Sequence, residues 1–264
     1  TGGTGLIGRA LADDLARAGR DVRVLSRNPV RSGARPRPGV LVHGWDGRTA
    51  EGWAELADGA AAVVNLAGAS IAGGRWTAER KARIRGSRLD AARAVVAAVE
   101  SCRKPPRVVI QASAVGLYGP RGAEPIDEQE PPGDDFLARL VVEHEGIVAR
   151  VREHGVRLAE ARTGVVLASD GGALPLMALP FRLFVGGPVG SGWQYVSWIH
   201  LADEVAALRW LIEDERAEGA FNLTAPSPVT NAELGRALGR VLRRPSWFPA
   251  PGWALRAVLG EMAT

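Results

Sequence analysis

The sequence predicts an α/β protein, a doubly wound parallel sheet followed by a smaller lobe, and three observations predict it. A glycine loop, Thr-Gly-Gly-Thr-Gly-Leu-Ile-Gly at residues 1 to 8, runs straight into a helical stripe of Leu6, Ala10, Leu11 and Leu15. Apolar strands then alternate with helical patterns as far as residue 165, the order that builds parallel sheets with right-handed crossovers. Beyond that point the chain changes character, and glycine pairs and prolines crowd residues 171 to 192. We therefore expect a Rossmann-type domain over 1–165 and a smaller substrate-side lobe over 166–264.

The chain opens inside the glycine loop, so the strand before it is expected to lack its start, and Thr264 is expected to fall short of the native end. Asp21 to Leu25 alternates as a strand that Asn28-Pro29 ends. Residues 40 to 43 read as a short strand, and Ala60 to Leu66 as a buried one. A helix is expected from about Trp76 to Val99, stopped by Pro105-Pro106. Arg107 to Gln111 is the next buried strand, residues 134 to 153 are helical, and Val156 to Ala161 is a further strand. In the lobe, Trp193 to Ile199 alternates as one strand, a helix starts near Leu201, and short elements follow at 220–223 and 230–242. The lobe should close over the carboxyl ends of the strands, where ligands of open α/β sheets bind.

A chain of 264 residues that is 46% hydrophobic can bury one large core. No apolar run approaches the roughly 18 residues of a membrane helix, and no signal-peptide pattern is visible. Cys102 is the sole cysteine, which rules out internal disulfides and suits the cytoplasm. The sequence pI is 9.9, yet the net charge is only +4 and the bases are scattered among 29 acids. A nucleic-acid partner is therefore not expected, although the basic helix at 80–88 is the stretch that would carry one. His43, His144 and His154 lack metal-ligand spacing, so no metal is expected. Glu143 and Glu145 flank His144 on what reads as an outer helix face.

The spacing of Gly2, Gly5 and Gly8 points to a dinucleotide. The first glycine permits a tight turn, the second lets the backbone approach a pyrophosphate, and the third lets helix and strand pack closely. Leu6 and Ile7 complete that turn, at a helix N-terminus whose free N–H groups favour phosphate. About 20 residues on, an NAD site usually carries an acid for the ribose, but this chain has Ser26-Arg27. An arginine there suits an extra 2′-phosphate and favours NADP(H); an ordinary exposed arginine is the alternative. Arg88 shares the inward stripe of Ile84, Ala92, Val95 and Val99, where a guanidinium needs an anion or several acceptors, so we take it as a cofactor contact. Arg182 is a candidate for holding an anionic substrate or, alternatively, a salt bridge. His200 is a candidate substrate-side base, although a histidine just before a helix more often caps it. Trp193, Tyr195 and Trp198 either wall the pocket or form a half-buried strand.

Ser113-Ala-Val-Gly-Leu-Tyr-Gly119, directly after a strand, completes a wider pattern. With Thr1 to Gly8, Leu25 to Pro29, Asn65 to Ala69, Gly86-Ser-Arg88, Arg162 to Leu167, Pro180-Phe-Arg182, Gly186-Gly-Pro188 and Trp198-Ile-His200 with Asp203, the chain resembles the extended short-chain dehydrogenase/reductase superfamily. Within it, the resemblance is to the atypical NAD-dependent epimerase/dehydratase-like family with an added small C-terminal domain, here cut short. This resemblance implies NADP(H) lying across the strand ends, with Ser26 and Arg27 at its 2′-phosphate, Leu66 and Ala67 along its adenosine ribose and pyrophosphate, and Val166 near the nicotinamide. It also implies a small carbonyl- or hydroxyl-bearing, sugar-like substrate near Arg182, Trp198 and His200. Typical members use a serine with a tyrosine and a lysine four residues later for proton transfer. Here Phe136 and Leu140 stand in the places of that pair, leaving Ser113 and Tyr118 as the candidate catalytic residues. The alternative is a catalytically silent NADP(H) sensor or partner-binding protein.

Overall fold

The computed structural model describes residues 1–29, 38–72 and 74–248, and its order of elements follows the alternation of the sequence. The glycine loop leads into α1 (Leu6–Arg17), β1 (Val22–Ser26), β2 (Val40–Gly44) and β3 (Ala62–Asn65). There follow α2 (Ala78–Ser101), β4 (Val108–Ala114), α3 (Phe136–Val148) and β5 (Arg157–Thr163). The strands β3, β4, β5 and a later strand, β10 (Gly219–Leu223), form one parallel sheet in the order β10-β5-β4-β3, while β1 and β2 pair in parallel beside it. Thr1 to Gly3 run between the two groups: the Thr1 nitrogen donates to the Val64 carbonyl at 2.7 Å, and a Cβ on Gly3 would strike Val24.

The period-two alternation of β4 makes the sheet two-sided. Val109 packs with the α2 residues Ala91, Val95 and Val99, whereas Val108 and Ile110 join Leu11 of α1 and Leu208 and Leu211 on the opposite face. Burying each such side chain is worth about 1.5–3 kcal/mol, so a one-residue slip of β4 would forfeit both cores. The helix α2 starts where Thr77 accepts a hydrogen bond from the Arg80 N–H, and its stripe Ile84, Ala92, Val95 and Val99 is buried as the spacing requires. The helix of 134–153 is α-helical only to Val148 and tightens to a 3-10 form over Ala149–His154.

The expected division after residue 165 does not follow the architecture. The chain first leaves the main sheet through β6 (Val165–Ala168), β7 (Gly171–Gly172) and α4 (Ala173–Arg182), a helix concealed in the glycine- and proline-rich stretch. The single strand expected over 193–199 is two: β8 (Tyr195–Val196) and β9 (Trp198–His200). Between them, the Ser197 carbonyl accepts the Val165 N–H at 2.8 Å. The helix α5 (Leu201–Glu213) then packs on α1, and β10 returns to pair with β5, so residues 201–223 belong to the main core. β11 (Val229–Thr230), antiparallel to β8, and α6 (Asn231–Leu242), begun by a Thr230–Glu233 capping box, complete the smaller lobe among the described residues. The expected lobe's residues 249–264 lie outside the described residues. No described helix is long and apolar enough to cross a membrane.

Glu204, in the first turn of α5, is almost wholly buried; one carboxyl oxygen accepts the Thr163 hydroxyl at 2.9 Å and the other has no partner among the described residues. Burial pushes its pKa up to about 7, against a smaller lowering by Thr163. The folded state therefore holds a proton that the unfolded chain releases near 4.5, and stability falls as pH rises from there to about 7. His144 has the opposite slope: burial and then Arg88 pull its pKa down to about 4, so its contribution is lost as pH falls from 6.5 toward 4. Glu204→Gln removes only the first effect. Its thermal midpoint relative to wild type should climb between pH 5 and pH 8, by the equivalent of roughly 2–3 kcal/mol. A difference that stays constant with pH would contradict a buried, proton-holding Glu204.

Candidate active site

The glycine loop is shaped by backbone contact. Gly2 has φ +67°, and a Cβ on it would lie 2.5 Å from the Leu66 carbonyl carbon; one on Gly8 would lie 2.4 Å from the Gly2 oxygen. Gly5 caps α1 without a side-chain hydrogen bond, and the first turn of α1 carries no acid, so the positive end of the helix has no compensating charge of its own. In front of it lies a cavity of about 440 Å³ over the carboxyl ends of β1, β2 and β3. Gly2, Thr4 and Gly5 form one wall, Leu25 to Asn28 and Trp45 with Gly47 a second, and Leu66 to Ala69 with Ser87 the third.

Local chemistry holds each wall. Asp46 accepts the Arg48 and Thr49 N–H groups, which keeps its carboxyl below the usual range, and both Trp45 and Trp53 donate their indole N–H to the Thr49 carbonyl. The Ser26 hydroxyl accepts the Asn28 N–H at 3.3 Å, turning the chain after β1 so that Arg27 stands exposed at the cavity mouth. Ser87 ties the third wall to α2 by accepting the Ala69 N–H at 2.9 Å. Arg88 donates to the Ala69 and Ile84 carbonyls at 3.0 and 3.3 Å, and its guanidinium lies against Gly68. Burial alone pulls the pKa of Arg88 down, with no carboxylate acting to raise it. Beneath this wall a buried chain fixes the floor: Asn65 donates to Gln111 at 2.9 Å, and the Gln111 amide lies 2.9 Å from His144 Nε2. Because the Gln111 nitrogen donates there, the ring accepts at Nε2 and carries its proton on Nδ1.

A second polar cluster sits at the ends of β4 and β5. Ser113 donates to Glu145 Oε1 at 2.5 Å, and Arg162, level with Ser113 on the neighbouring strand, holds both Glu145 oxygens at 3.1 and 2.9 Å. Arg162 also donates to the Tyr118 hydroxyl at 3.0 Å, and that hydroxyl donates to Asn222 at 2.8 Å. Burial opposes the charge on Arg162, but the hydrogen bonds to Glu145 and Tyr118 outweigh it and raise its pKa further. Glu145 thus faces inward, contrary to the expectation of an outer face. Its neighbour Glu143 does lie at the surface, paired with Arg85.

The model of the NAD dependent epimerase/dehydratase family matches residues 1–224. The chain belongs to that family. It is 40% identical over 270 residues to the chloroplastic epimerase family protein SDR39U1 homolog of Arabidopsis thaliana, covering 100% of this chain and 76% of that protein. To epimerase family protein YfhF of Bacillus subtilis it is 37% identical over 273 residues, covering 100% and 85%. Among solved structures it is similar to human epimerase family protein SDR39U1 with NADPH, at 36% identity and TM-score 0.84, covering 99% of this chain and 85% of that one.

In this epimerase-family chain, Gly2, Gly5, Ser26, Arg27, Leu66 and Ala67 of the expected cofactor residues line one cavity. Gly8 lies behind the loop and Arg88 behind Gly68. Leu6 packs on Gly171 and Gly172, while Ile7 and Val166 join the core under α1 and α5, outside the cavity. Phe136 and Leu140 pack with Ile84, Leu89 and Trp76 between α2 and α3, so those two places offer no proton. Arg182 is exposed at the end of α4, and the Trp198 indole donates to the Ser227 carbonyl at 3.1 Å. The His200 ring accepts the Ala202 N–H at 3.2 Å and caps α5. Trp193 and Tyr195 are exposed. Among residues that sequence reasoning passed over, Thr4, Trp45, Gly47 and Ser87 are in the cavity. Glu145 had a usable signal, since it falls between Val141 and Val148 on a buried stripe.

Proposed function

We propose that this chain binds NADP(H) and moves hydride between it and a small hydroxyl- or carbonyl-bearing, sugar-like substrate at the strand ends. The observation that carries this reading is the cavity mouth, where Ser26 at the end of β1 and Arg27 after it stand in place of an acid. The cavity fits the cofactor physically: Gly2 and Gly8 leave no room for side chains, the bare N-terminus of α1 favours a pyrophosphate, and Arg88 braces the third wall from behind through the Ala69 carbonyl. The human relative's structure with NADPH supports the same choice. When bound, the nicotinamide supplies or accepts the hydride. Ser113 is the polar group offered for proton transfer; Tyr118 has both its hydrogen-bonding directions occupied and serves to hold Arg162. The single cysteine suits a reducing compartment, and the cytoplasm is the setting we assign.

The apolar packing of Phe136 and Leu140 favours a second reading, a protein that binds NADP(H) without turning over a substrate. Two measurements on the full-length protein separate them: cofactor binding by fluorescence titration, and NADPH oxidation or NADP reduction over a panel of aldehydes, ketones, polyols and nucleotide sugars. Turnover with any member supports the enzyme. Tight NADPH binding with no turnover favours the sensor, and failure to bind NADPH overturns both.

A further inference from the structure

Ser113 lies one strand away from the cavity wall. The pairing of β3 with β4 ends at Asn65 and Gln111; past it the chain of β3 runs into the cavity wall at Leu66 to Ala69, while β4 runs on to Ser113 and Ala114. The hydroxyl at this spot has its one proton committed to Glu145 at 2.5 Å, and its lone pairs are left to accept. Behind it, Arg162 grips both Glu145 oxygens and keeps the carboxylate in place, while the Glu145 side chain retains 12% of its exposure, enough for contact with water. The other hydroxyl of the cluster belongs to Tyr118, a residue only 3% exposed, and it receives from Arg162 and gives to Asn222. The places of the usual tyrosine and lysine are filled by Phe136 and Leu140 in an apolar cluster. Ser113 and Glu145 are thus the hydroxyl and carboxylate through which a proton can leave the strand ends.

We propose that Ser113 and Glu145 form a proton relay that takes over the task of the missing tyrosine and lysine, with Ser113 touching substrate and Glu145 acting through it. In the oxidising direction, the substrate hydroxyl gives its proton to Ser113 Oγ as the proton of Ser113 passes to Glu145 Oε1. The C–H bond at the carbinol carbon breaks, its electron pair leaves as hydride to an oxidised nicotinamide, and the C=O bond forms. Glu145 then returns its proton to water, and reduction of a carbonyl runs the same steps backward. The relay rests on the enzymatic reading above, and it commits the site to accept a proton from a hydroxyl-bearing substrate.

The test uses the full-length protein with NADP(H) and whichever panel substrate turns over. Ser113→Ala and Glu145→Gln should each lower kcat by roughly a hundredfold or more in both directions, within the usual range for general acid–base groups, while the NADPH dissociation constant stays within about twofold. Glu145→Asp should restore part of the rate, and the acid limb of the kcat profile and the solvent deuterium effect should both vanish in Glu145→Gln. A purely structural Glu145 would change stability without removing either. Independently of turnover, the short Ser113–Glu145 hydrogen bond should give a downfield hydroxyl proton resonance that is absent from both variants. Ser113→Ala keeps the Arg162–Glu145 pair, so it remains informative if Glu145→Gln folds poorly. Near-wild-type turnover in either variant, or no such resonance in the wild type, overturns the relay while leaving the enzymatic reading standing. If the wild type binds NADPH and turns over no substrate, the enzymatic reading falls and the relay with it.

Discussion

Replacing Arg27 with Asp is expected to weaken NADPH binding by roughly a hundredfold while NADH affinity changes by no more than about threefold. A hydrogen bond to a charged group is worth about 1.5–3 kcal/mol, and the new carboxylate adds repulsion toward a 2′-phosphate, so a loss near 2.7 kcal/mol is the reasonable scale. Position makes this selective. Arg27 stands just past β1, at the mouth of the cavity, whereas the pyrophosphate elements, Gly2, Gly5 and the start of α1, are untouched by the change. Arg27 is exposed, with its stem near Gly47, so the fold should tolerate the substitution. Because the group is solvated, part of the wild-type preference should fade at high salt. Fluorescence titration of both cofactors at low and high ionic strength checks this. Equal losses for NADPH and NADH would mean that Arg27 supports the cavity mouth rather than reading a phosphate.

The legible parts of this molecule are those whose causes are local. Strand β4 was visible because its residues are apolar on both faces, and the cavity because glycines, strand ends and Ser26-Arg27 lie within short stretches of chain. The helix α4 was hidden by Pro175 and Pro180, yet both are tolerated. Pro175 falls in the first turn, where an N–H has no intrahelical partner, whereas Pro180 gives up one intrahelical N–H only two residues from the helix end. The return of the chain to the main sheet is not legible, because nothing in residues 219–223 announces that they pair with β5. The cluster of Ser113, Glu145 and Arg162 was missed for a similar reason. Its members come from β4, α3 and β5, 32 and 17 residues apart, and only the sheet register sets Ser113 beside Arg162. An arginine inside a strand that is otherwise buried does demand an anion or several acceptors, but the strand alone does not say which.

Arg162→Met is expected to carry the largest stability cost, about 3–5 kcal/mol, because it leaves the largely enclosed Glu145 carboxylate without its countercharge and with the Ser113 hydroxyl as its remaining side-chain partner among the described residues. The guanidinium also donates to the Tyr118 hydroxyl and to the Glu128 carbonyl, so its loss unfastens the segment after β4 from the sheet. For a chain of this size the cost corresponds to a drop of about 10 °C in melting temperature. The ion pair itself need not be worth that much. Removing both charges takes away the stranded carboxylate, so Glu145→Leu combined with Arg162→Met should recover a large part of the loss, with a coupling of about 2 kcal/mol in the double-mutant cycle. Strict additivity of the two single costs would mean that Arg162 acts through Tyr118 and Glu128 alone. Recovery of stability without recovery of turnover would divide the roles cleanly: a hydrophobic pair can hold β4, α3 and β5 together, but only a carboxylate behind Ser113 can take its proton.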